Sequence, residues 1–314
     1  MFQFDFLPYR RSFKQPLQTS HGSWSVREGI IVRLIPPDGL AQFGEIAPLP
    51  WFGSETLAEA LEFCRSLPPK ISRLTIQAIP DRLPACQFGF ESALLLQSSI
   101  SNQSIVTAGL LPTGEAALGA WRSLYERGFR IFKWKIGVAD LETELTGFRQ
   151  LVRQLPSDVQ LRLDANGGLT IEQAQRWLDH CAEGLIEYLE QPLAIDQFDA
   201  TLRLSQTYPT PIALDESIAT VQQLQTCYQH GWRGIYVIKP AIAGFPSRLQ
   251  TLCQRYTIDT VFSSVFETSI GRNAGIHFAI HCGTSRALGY GTDQWFVQRF
   301  HNPFEGVDAG SEIL

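Results

Sequence analysis

Val159-Gln-Leu-Arg-Leu-Asp-Ala-Asn-Gly-Gly168 is a strand-like apolar run that ends on an acid and passes at once into a turn. Ile186-Glu-Tyr-Leu-Glu-Gln-Pro192 and Pro211-Ile-Ala-Leu-Asp-Glu-Ser217 share this form. Their acids, Asp164, Glu190 and Asp215, are spaced about 25 residues apart, room for one strand, one helix and two short loops. Three consecutive βα units would set the carboxylates side by side on one rim of a parallel barrel. Carboxylates so close repel each other unless something positive sits between them. A hard divalent cation held by oxygens meets that need. Mg²⁺ is the first expectation, and ligand type does not separate it from Mn²⁺.

The rhythm around these stretches supports a barrel. From about Val106, apolar runs alternate with amphipathic helical patterns. Strands are expected at 107–111, 130–135, 160–164, 186–190, 212–215, 235–239, 260–263 and 287–289. Helices are expected to begin near Thr113, Leu141, Thr170, Gln197, Thr220, Phe245 and Ser269. The fold class is therefore α/β, a TIM-type (β/α) barrel of about seven or eight units, since the last strand is weak and no good helix follows it. The first hundred residues have another texture. Gly29-Ile-Ile-Val-Arg-Leu-Ile35 and Phe43-Gly-Glu-Ile-Ala47 read as antiparallel strands about a Pro36-Pro-Asp-Gly39 turn, followed by helices at 55–67, with Ser54 as cap, and 88–96. We expect an α+β capping domain over 1–104, the barrel over 105–291, and a tail over 292–314 that returns to the capping domain.

Composition narrows the function. The 314 residues carry 44 % hydrophobic and 18 % charged side chains with a net charge of -5. That is a globular balance with ample core material. No basic block favours nucleic acid, and no apolar run approaches the length of a membrane span. Residues 1–11 lack the basic-then-apolar order of a signal peptide. Six scattered cysteines without a Cys-x-x-Cys pair read as reduced thiols, and a cytoplasmic location is expected. Oligomeric state is left open between monomer and homo-oligomer.

Lysines complete the pattern. Phe132-Lys-Trp-Lys-Ile-Gly137 ends the second barrel strand and Tyr236-Val-Ile-Lys-Pro240 the sixth. Alternate residues of a barrel strand point inward, so Lys133 and Lys135 share one face and Lys239 lies across the mouth. Burial and neighbouring positive charge both lower a lysine pKa, and such a lysine can act as general base near neutral pH. A base, an opposing cation and a divalent ion are what abstraction of a proton α to a carboxylate requires, because the resulting enolate carries extra negative charge.

Lys133-Trp-Lys135, Asp164-Ala-Asn166, Glu190-Gln-Pro192, Asp215-Glu-Ser217 and Ile238-Lys-Pro240 occur in order on the expected strands. Together they resemble the muconate-lactonising-enzyme subgroup of the enolase superfamily. Arg27-Glu-Gly-Ile30 and Gly44-Glu-Ile-Ala-Pro-Leu-Pro50 resemble its capping domain. The resemblance implies Asp164, Glu190 and Asp215 as metal ligands, Lys135 as base, Lys133 as its assistant and Lys239 as the opposing cation. Leu110-Leu-Pro-Thr-Gly114, Arg162-Leu-Asp164, Leu49-Pro-Trp-Phe-Gly-Ser-Glu-Thr56 and Ser263-Ser-Val-Phe-Glu-Thr-Ser-Ile-Gly271 are most similar to the aromatising dehydratases of that subgroup. Those enzymes act on a small-molecule carboxylate. They dehydrate 2-succinyl-6-hydroxy-2,4-cyclohexadiene-1-carboxylate to o-succinylbenzoate, a step toward menaquinone or phylloquinone.

Other residues have two readings each. Arg162 pairs with a carboxylate or orients the metal site; Asn166 and Glu216 support the ligands or cap a helix. Ser263 and Ser264 donate to substrate or are ordinary strand-end serines. Gly289 and Gly291 admit backbone N–H groups to the substrate or form a plain turn. Ser20, His21 and Trp51 lie in capping loops expected to cover the mouth. His277 and His281 are read as structural. The rival functions are epimerisation of dipeptides and racemisation of N-succinylamino acids. The single Asp293 in Gly289-Tyr-Gly-Thr-Asp-Gln-Trp295 argues against the first, whose enzymes carry Asp-x-Asp there. A sugar-acid dehydratase would commonly need a His–Asp pair, and 261–265 holds no histidine. A non-catalytic barrel would have lost an acid or a lysine, and none is missing.

Overall fold

The computed structural model describes residues 1–19, 22–37, 39–95, 105–181 and 185–304. Ser20 and His21, expected over the mouth, fall outside the described residues. The N-terminal part holds strands β1 (Phe2–Thr19), β2 (Gly22–Ile35) and β3 (Gln42–Ile46), helix α1 (Leu57–Ser66), the short β4 (Lys70–Ile71), α2 (Arg73–Gln77) and α3 (Pro84–Leu95). The four strands form one sheet in the order β3-β2-β1-β4. Pairing of Ile30 with Ile46 and Leu34 with Gln42 realises the expected antiparallel strands. β1 is an element that sequence pattern does not announce. Pro8, Pro16 and three basic residues break its alternation, and its strand character comes from the long ladder to β2. Helix α3 is buried along most of its length because it lies directly on β3. The approach is so close that a Cβ at Gly44 would stand 1.9 Å from the Gly89 carbonyl oxygen, so only glycine fits.

The barrel strands are β5 (Thr107–Leu110), β6 (Ile131–Lys135), β7 (Gln160–Asp164), β8 (Ile186–Glu190), β9 (Ile212–Leu214), β10 (Ile235–Ile238), β11 (Thr260–Phe262) and β12 (Leu288–Gly291). Between them run α4 (Ala117–Glu126), α5 (Leu141–Gln154), α6 (Ile171–His180), α7 (Phe198–Thr207), α8 (Val221–Gln229), the short α9 (Pro240–Ala243), α10 (Pro246–Tyr256) and α11 (Ser269–His281). The strands are parallel in the order β11-β10-β9-β8-β7-β6-β5-β12, and a bridge from Ser263 to Gly289 brings the two ends together. Among the described residues after β12 there is a 3₁₀ turn, Asp293–Trp295, and no α-helix. On β6, Phe132 and Trp134 are buried outward against Phe148 and Trp177, which sends Lys133 and Lys135 inward by pleat alternation.

Register aligns the site. Lys135 pairs with Asp164 and Asp164 with Glu190, forming one row at the C-terminal mouth. One turn of pleat deeper, Lys133 pairs with Arg162 and Arg162 with Tyr188. Between β7 and β8 the register slips by one residue, and Glu187 is the extra member. Its carboxylate takes the Arg162 guanidinium at 2.6 Å and Arg286 at 2.7 Å, and Arg286 also binds Asp259. This network fills the closed end of the barrel with paired charge, which accounts for a fully buried arginine.

Residues 292–304 lie along β1. Phe296 bridges to Phe13, and Phe304 is buried with Tyr9 and Ile31. The capping domain also locks onto the barrel through Glu45. Its carboxylate accepts from Tyr9 Oη, Thr268 Oγ1, the Thr268 amide (2.9 Å) and the Gly271 amide (2.9 Å), so it caps α11 from the other domain. Nearby Glu267 is buried and pushed from 4.5 up to about 7, by burial first, with the negative Glu45 adding to it. A carboxyl raised on folding stabilises the folded state below 4.5 and loses that contribution as pH rises through 7. The loss amounts to about 3 kcal/mol by pH 8. Thermal melts of Glu267→Gln and the parent protein are expected to diverge between pH 5 and pH 8, with the parent losing more; parallel curves would contradict this. Among the described residues no helix is long and apolar enough to cross a membrane, and all six cysteines are free thiols.

Candidate active site

One cavity opens at the C-terminal mouth of the barrel, under the capping domain. Lys133, Lys135, Asp164, Glu190, Asp215, Glu216 and Lys239 line it. In the strand order β6 and β10 stand four places apart in an eight-membered ring, so Lys135 and Lys239 face each other across it. The cavity thus gathers all three acids and both lysine stations expected from sequence.

The Lys133 ammonium lies 2.8 Å from Asp164 and 2.7 Å from Glu190. Burial alone would lower its pKa, but those two carboxylates outweigh burial and hold it well above the usual lysine value. Lys135 has the opposite balance. Burial, aided by the positive Lys133, lowers its pKa despite the pull of Asp164. The two lysines of one strand therefore differ in kind, one a fixed cation and the other disposed to lose its proton. Lys239 is ion-paired to Asp215.

The acids carry the strain of this arrangement. Burial pushes Glu190 up to about 8, with Asp164 adding to it, and Asp215 up to about 6. Burial also raises Glu216. Asp164 stays low because Lys133 and the Asn166 amide overcome its burial. Glu190 Oε2 and Glu216 Oε2 are buried without a hydrogen-bond partner, an arrangement that costs free energy unless a cation or donor meets them. Among the described residues no three such groups converge into a ready-made metal cluster; Lys133 is wedged between Asp164 and Glu190, and Lys239 holds Asp215. The all-oxygen donor set, the orphaned carboxylate oxygens and the raised acids nonetheless fit a hard divalent cation.

The surrounding residues show how the acids are aimed. Asn166 donates its backbone N–H to Asp164 (3.0 Å) and its side-chain amide to Glu216 (2.9 Å). Gln191 accepts from the Asp215 and Ser217 amides and donates to Ser217 Oγ, tying the end of β8 to the end of β9. Asn166, Gln191 and Phe266 all have positive φ, at 43°, 36° and 62°. Strained backbone thus clusters at the mouth. Arg162 turns down to Glu187 and the Ala287 carbonyl. Ser263, Ser264, Gly289 and Gly291 line the cavity. The Ser264 hydroxyl is bound to Glu267. A Cβ at Gly291 would sit 2.5 Å from the Ala108 carbonyl oxygen, so this glycine is required where β12 passes β5. Trp51 also lines the cavity and packs edge-on against Trp24 at 5.0 Å.

Sequence reading missed Gln191, Tyr188, Phe52 and Phe266. The first two follow from spacing once Glu190 is placed, since one adjoins it and the other shares its parity. Phe52 and Phe266 sit in loops whose path only the packing of two domains decides.

Comparison with known proteins places the chain in a family. Residues 116–311 match the family described as enolase C-terminal domain-like, and residues 3–97 match the MenC N-terminal domain. The chain belongs to the enolase superfamily, in its muconate-lactonising-enzyme-like subgroup. An o-succinylbenzoate synthase of Thermosynechococcus vestitus is 40 % identical over 294 residues, covering 91 % of both chains. A crystal structure of o-succinylbenzoate synthase from Thermosynechococcus elongatus, complexed with Mg in its active site, superposes with a TM-score of 0.87 at 39 % identity, covering 93 % of this chain and 94 % of that one. A dipeptide epimerase from Enterococcus faecalis, complexed with Mg and L-Leu-L-Tyr, reaches 0.82 at 21 % identity, covering 95 % and 92 %, and shares the fold.

Proposed function

We propose that the chain is an o-succinylbenzoate synthase, a lyase that removes water from 2-succinyl-6-hydroxy-2,4-cyclohexadiene-1-carboxylate on the route to menaquinone or phylloquinone. The observation that carries the reading is a lysine of lowered pKa, Lys135, facing Lys239 across a cavity rimmed by acids. The identity to named synthases supports it.

Asp164, Glu190 and Asp215 would hold Mg²⁺, which when bound neutralises the substrate carboxylate and the enolate charge; Mn²⁺ is an alternative with the same donors. Neutral Lys135 takes the proton from the carbon α to the ring carboxylate. The C–H electron pair delocalises toward the carboxylate as an enolate, Lys239 on the opposite face offsets the negative charge, and the pair returns to the ring as hydroxide leaves. The ring C–O bond then breaks, and the proton on Lys135 passes to the departing hydroxide, releasing water and regenerating the neutral amine. Lys133, held positive by Asp164 and Glu190, keeps the Lys135 pKa down. Asn166, Gln191 and Glu216 hold the acids in place, and Arg162 braces the strands below them. Ser263, Ser264, Gly289 and Gly291 form the wall toward the substrate carboxylates, and Trp51 covers it from the capping loop. The free cysteines suit a reducing, cytoplasmic setting.

Purified protein with Mg²⁺ is expected to dehydrate the cyclohexadiene substrate, followed as loss of its absorbance, and to stop when a chelator is added. In D₂O, N-succinylamino acids should exchange their α-proton at least about a hundredfold more slowly, a margin of about 3 kcal/mol in barrier. Rapid exchange without dehydration would keep the lysines in their roles and move the function to racemisation.

A further inference from the structure

We propose that Phe52 of the capping domain is a positioning residue for Lys239. The Lys239 ammonium lies 4.0 Å from the centroid of the Phe52 ring, and its other described partner is Asp215. The cation is therefore held between a barrel carboxylate and the negative face of an aromatic ring from another domain.

The ring is delivered on a rigid turn. The Phe52 amide donates to the Leu49 carbonyl at 2.8 Å, the Gly53 amide to the Pro50 carbonyl at 3.0 Å, and the Leu49 amide to Ser54 Oγ at 2.6 Å. Gly53 closes the turn at φ +96°. Glu55, 4 % exposed, then accepts from the Ala85 (3.0 Å) and Cys86 (2.7 Å) amides at the start of α3. Arg27 donates to the Pro48 carbonyl at 2.8 Å, so the segment 48–55 is pinned at both ends to the rest of the capping domain. A loop built this tightly presents its aromatic ring at a set place.

That placement matters because Asp215 has two claims on it. An Asp215 engaged with a divalent cation offers less to Lys239, and the ammonium, on a flexible four-carbon stem, would then be free to swing. Phe52 keeps it aimed across the cavity at the face opposite Lys135. Docking of the capping domain thereby completes the barrel's catalytic pair. The inference rests on the assignment of Lys239 as the cation opposite the base.

Phe52→Leu keeps apolar bulk and removes the π face, whereas Phe52→Trp restores it. The leucine variant is expected to lose about tenfold in kcat with KM changed less than about threefold, and the tryptophan variant to return within about threefold of the parent. Acylation of lysines by acetic anhydride in the presence of Mg²⁺, read peptide by peptide, should label Lys239 several-fold faster in the leucine variant only. Parent-like kcat in Phe52→Leu, equal damage in Phe52→Trp, or unchanged Lys239 labelling would each overturn the proposal. Lys239→Ala, assayed alongside, separates the two readings. Parent-like turnover there would remove Lys239 itself from the mechanism and with it the reason for Phe52.

Discussion

Lys135→Ala is expected to fold, to bind Mg²⁺ and to lose at least about 10⁴-fold in turnover. In the proposed mechanism one amine serves both as the base that opens the reaction and as the acid that lets hydroxide depart, so its removal would strike both steps, each of the size that general acid–base catalysis supplies. Little else is lost, because Lys135 is only partly buried on a strand whose packing rests on Phe132 and Trp134. Lys239→Ala should cost less, about 10² to 10³-fold, as befits electrostatic stabilisation. Turnover must rise as Lys135 loses its proton, and its lowered pKa places that rise below the ordinary lysine range. Lys133→Met should move the rise to higher pH, because a positive neighbour that lowers the Lys135 pKa is removed and Asp164, released from its ion pair, holds the Lys135 proton more strongly; a rise at the parent position or below it would contradict this. Residual activity of Lys135→Ala above one per cent of the parent would remove it as base.

Glu190→Gln is expected to abolish Mg²⁺-dependent turnover and to weaken Mg²⁺ binding by at least about a hundredfold, a minimum set by what even indirect contacts to a metal contribute. Without Mg²⁺ the same variant should be at least as stable as the parent near pH 7. Burial and the negative Asp164 push the Glu190 carboxyl up to about 8, so ionising it costs the folded state, and the neutral amide avoids that cost. The sign follows from the raised value: the parent's contribution is present below the ordinary carboxyl range and is lost as pH climbs through 8. Titration calorimetry with Mg²⁺ and melts with and without the ion separate the two effects. Unchanged Mg²⁺ affinity would exclude Glu190 as a ligand, and a large loss of stability in the absence of Mg²⁺ would show that its ion pair with Lys133 outweighs its burial.

Much of this site was legible in sequence because barrel chemistry repeats a simple rule. An acid or lysine at the end of a strand, followed by a turn, stands at the mouth. Asp164, Glu190, Asp215, Lys135 and Lys239 all obey it. Fixed parity then assigns Lys133 to the interior, and register carries Lys135, Asp164 and Glu190 into one row. Helix starts were equally readable, since Asp140, Thr170 and Thr220 cap α5, α6 and α8 by accepting from the third helical amide.

The order of elements, the parallel winding and the identity of the charged ring were determined by the sequence alone, because each depends on local period and on spacing along the chain. Tertiary structure decided the rest. The different fates of Lys133 and Lys135 arise from what each meets across β7 and β8, not from their shared strand. The slip that sends Glu187 to Arg162 and Arg286 has no local signature. β1 became a strand through its partner, and Gly44 and Gly291 earned their smallness from backbones distant in sequence. Phe52 reaches Lys239 only because two domains pack together, and contacts between residues so far apart in the chain are fixed by complementary surfaces that no local pattern encodes.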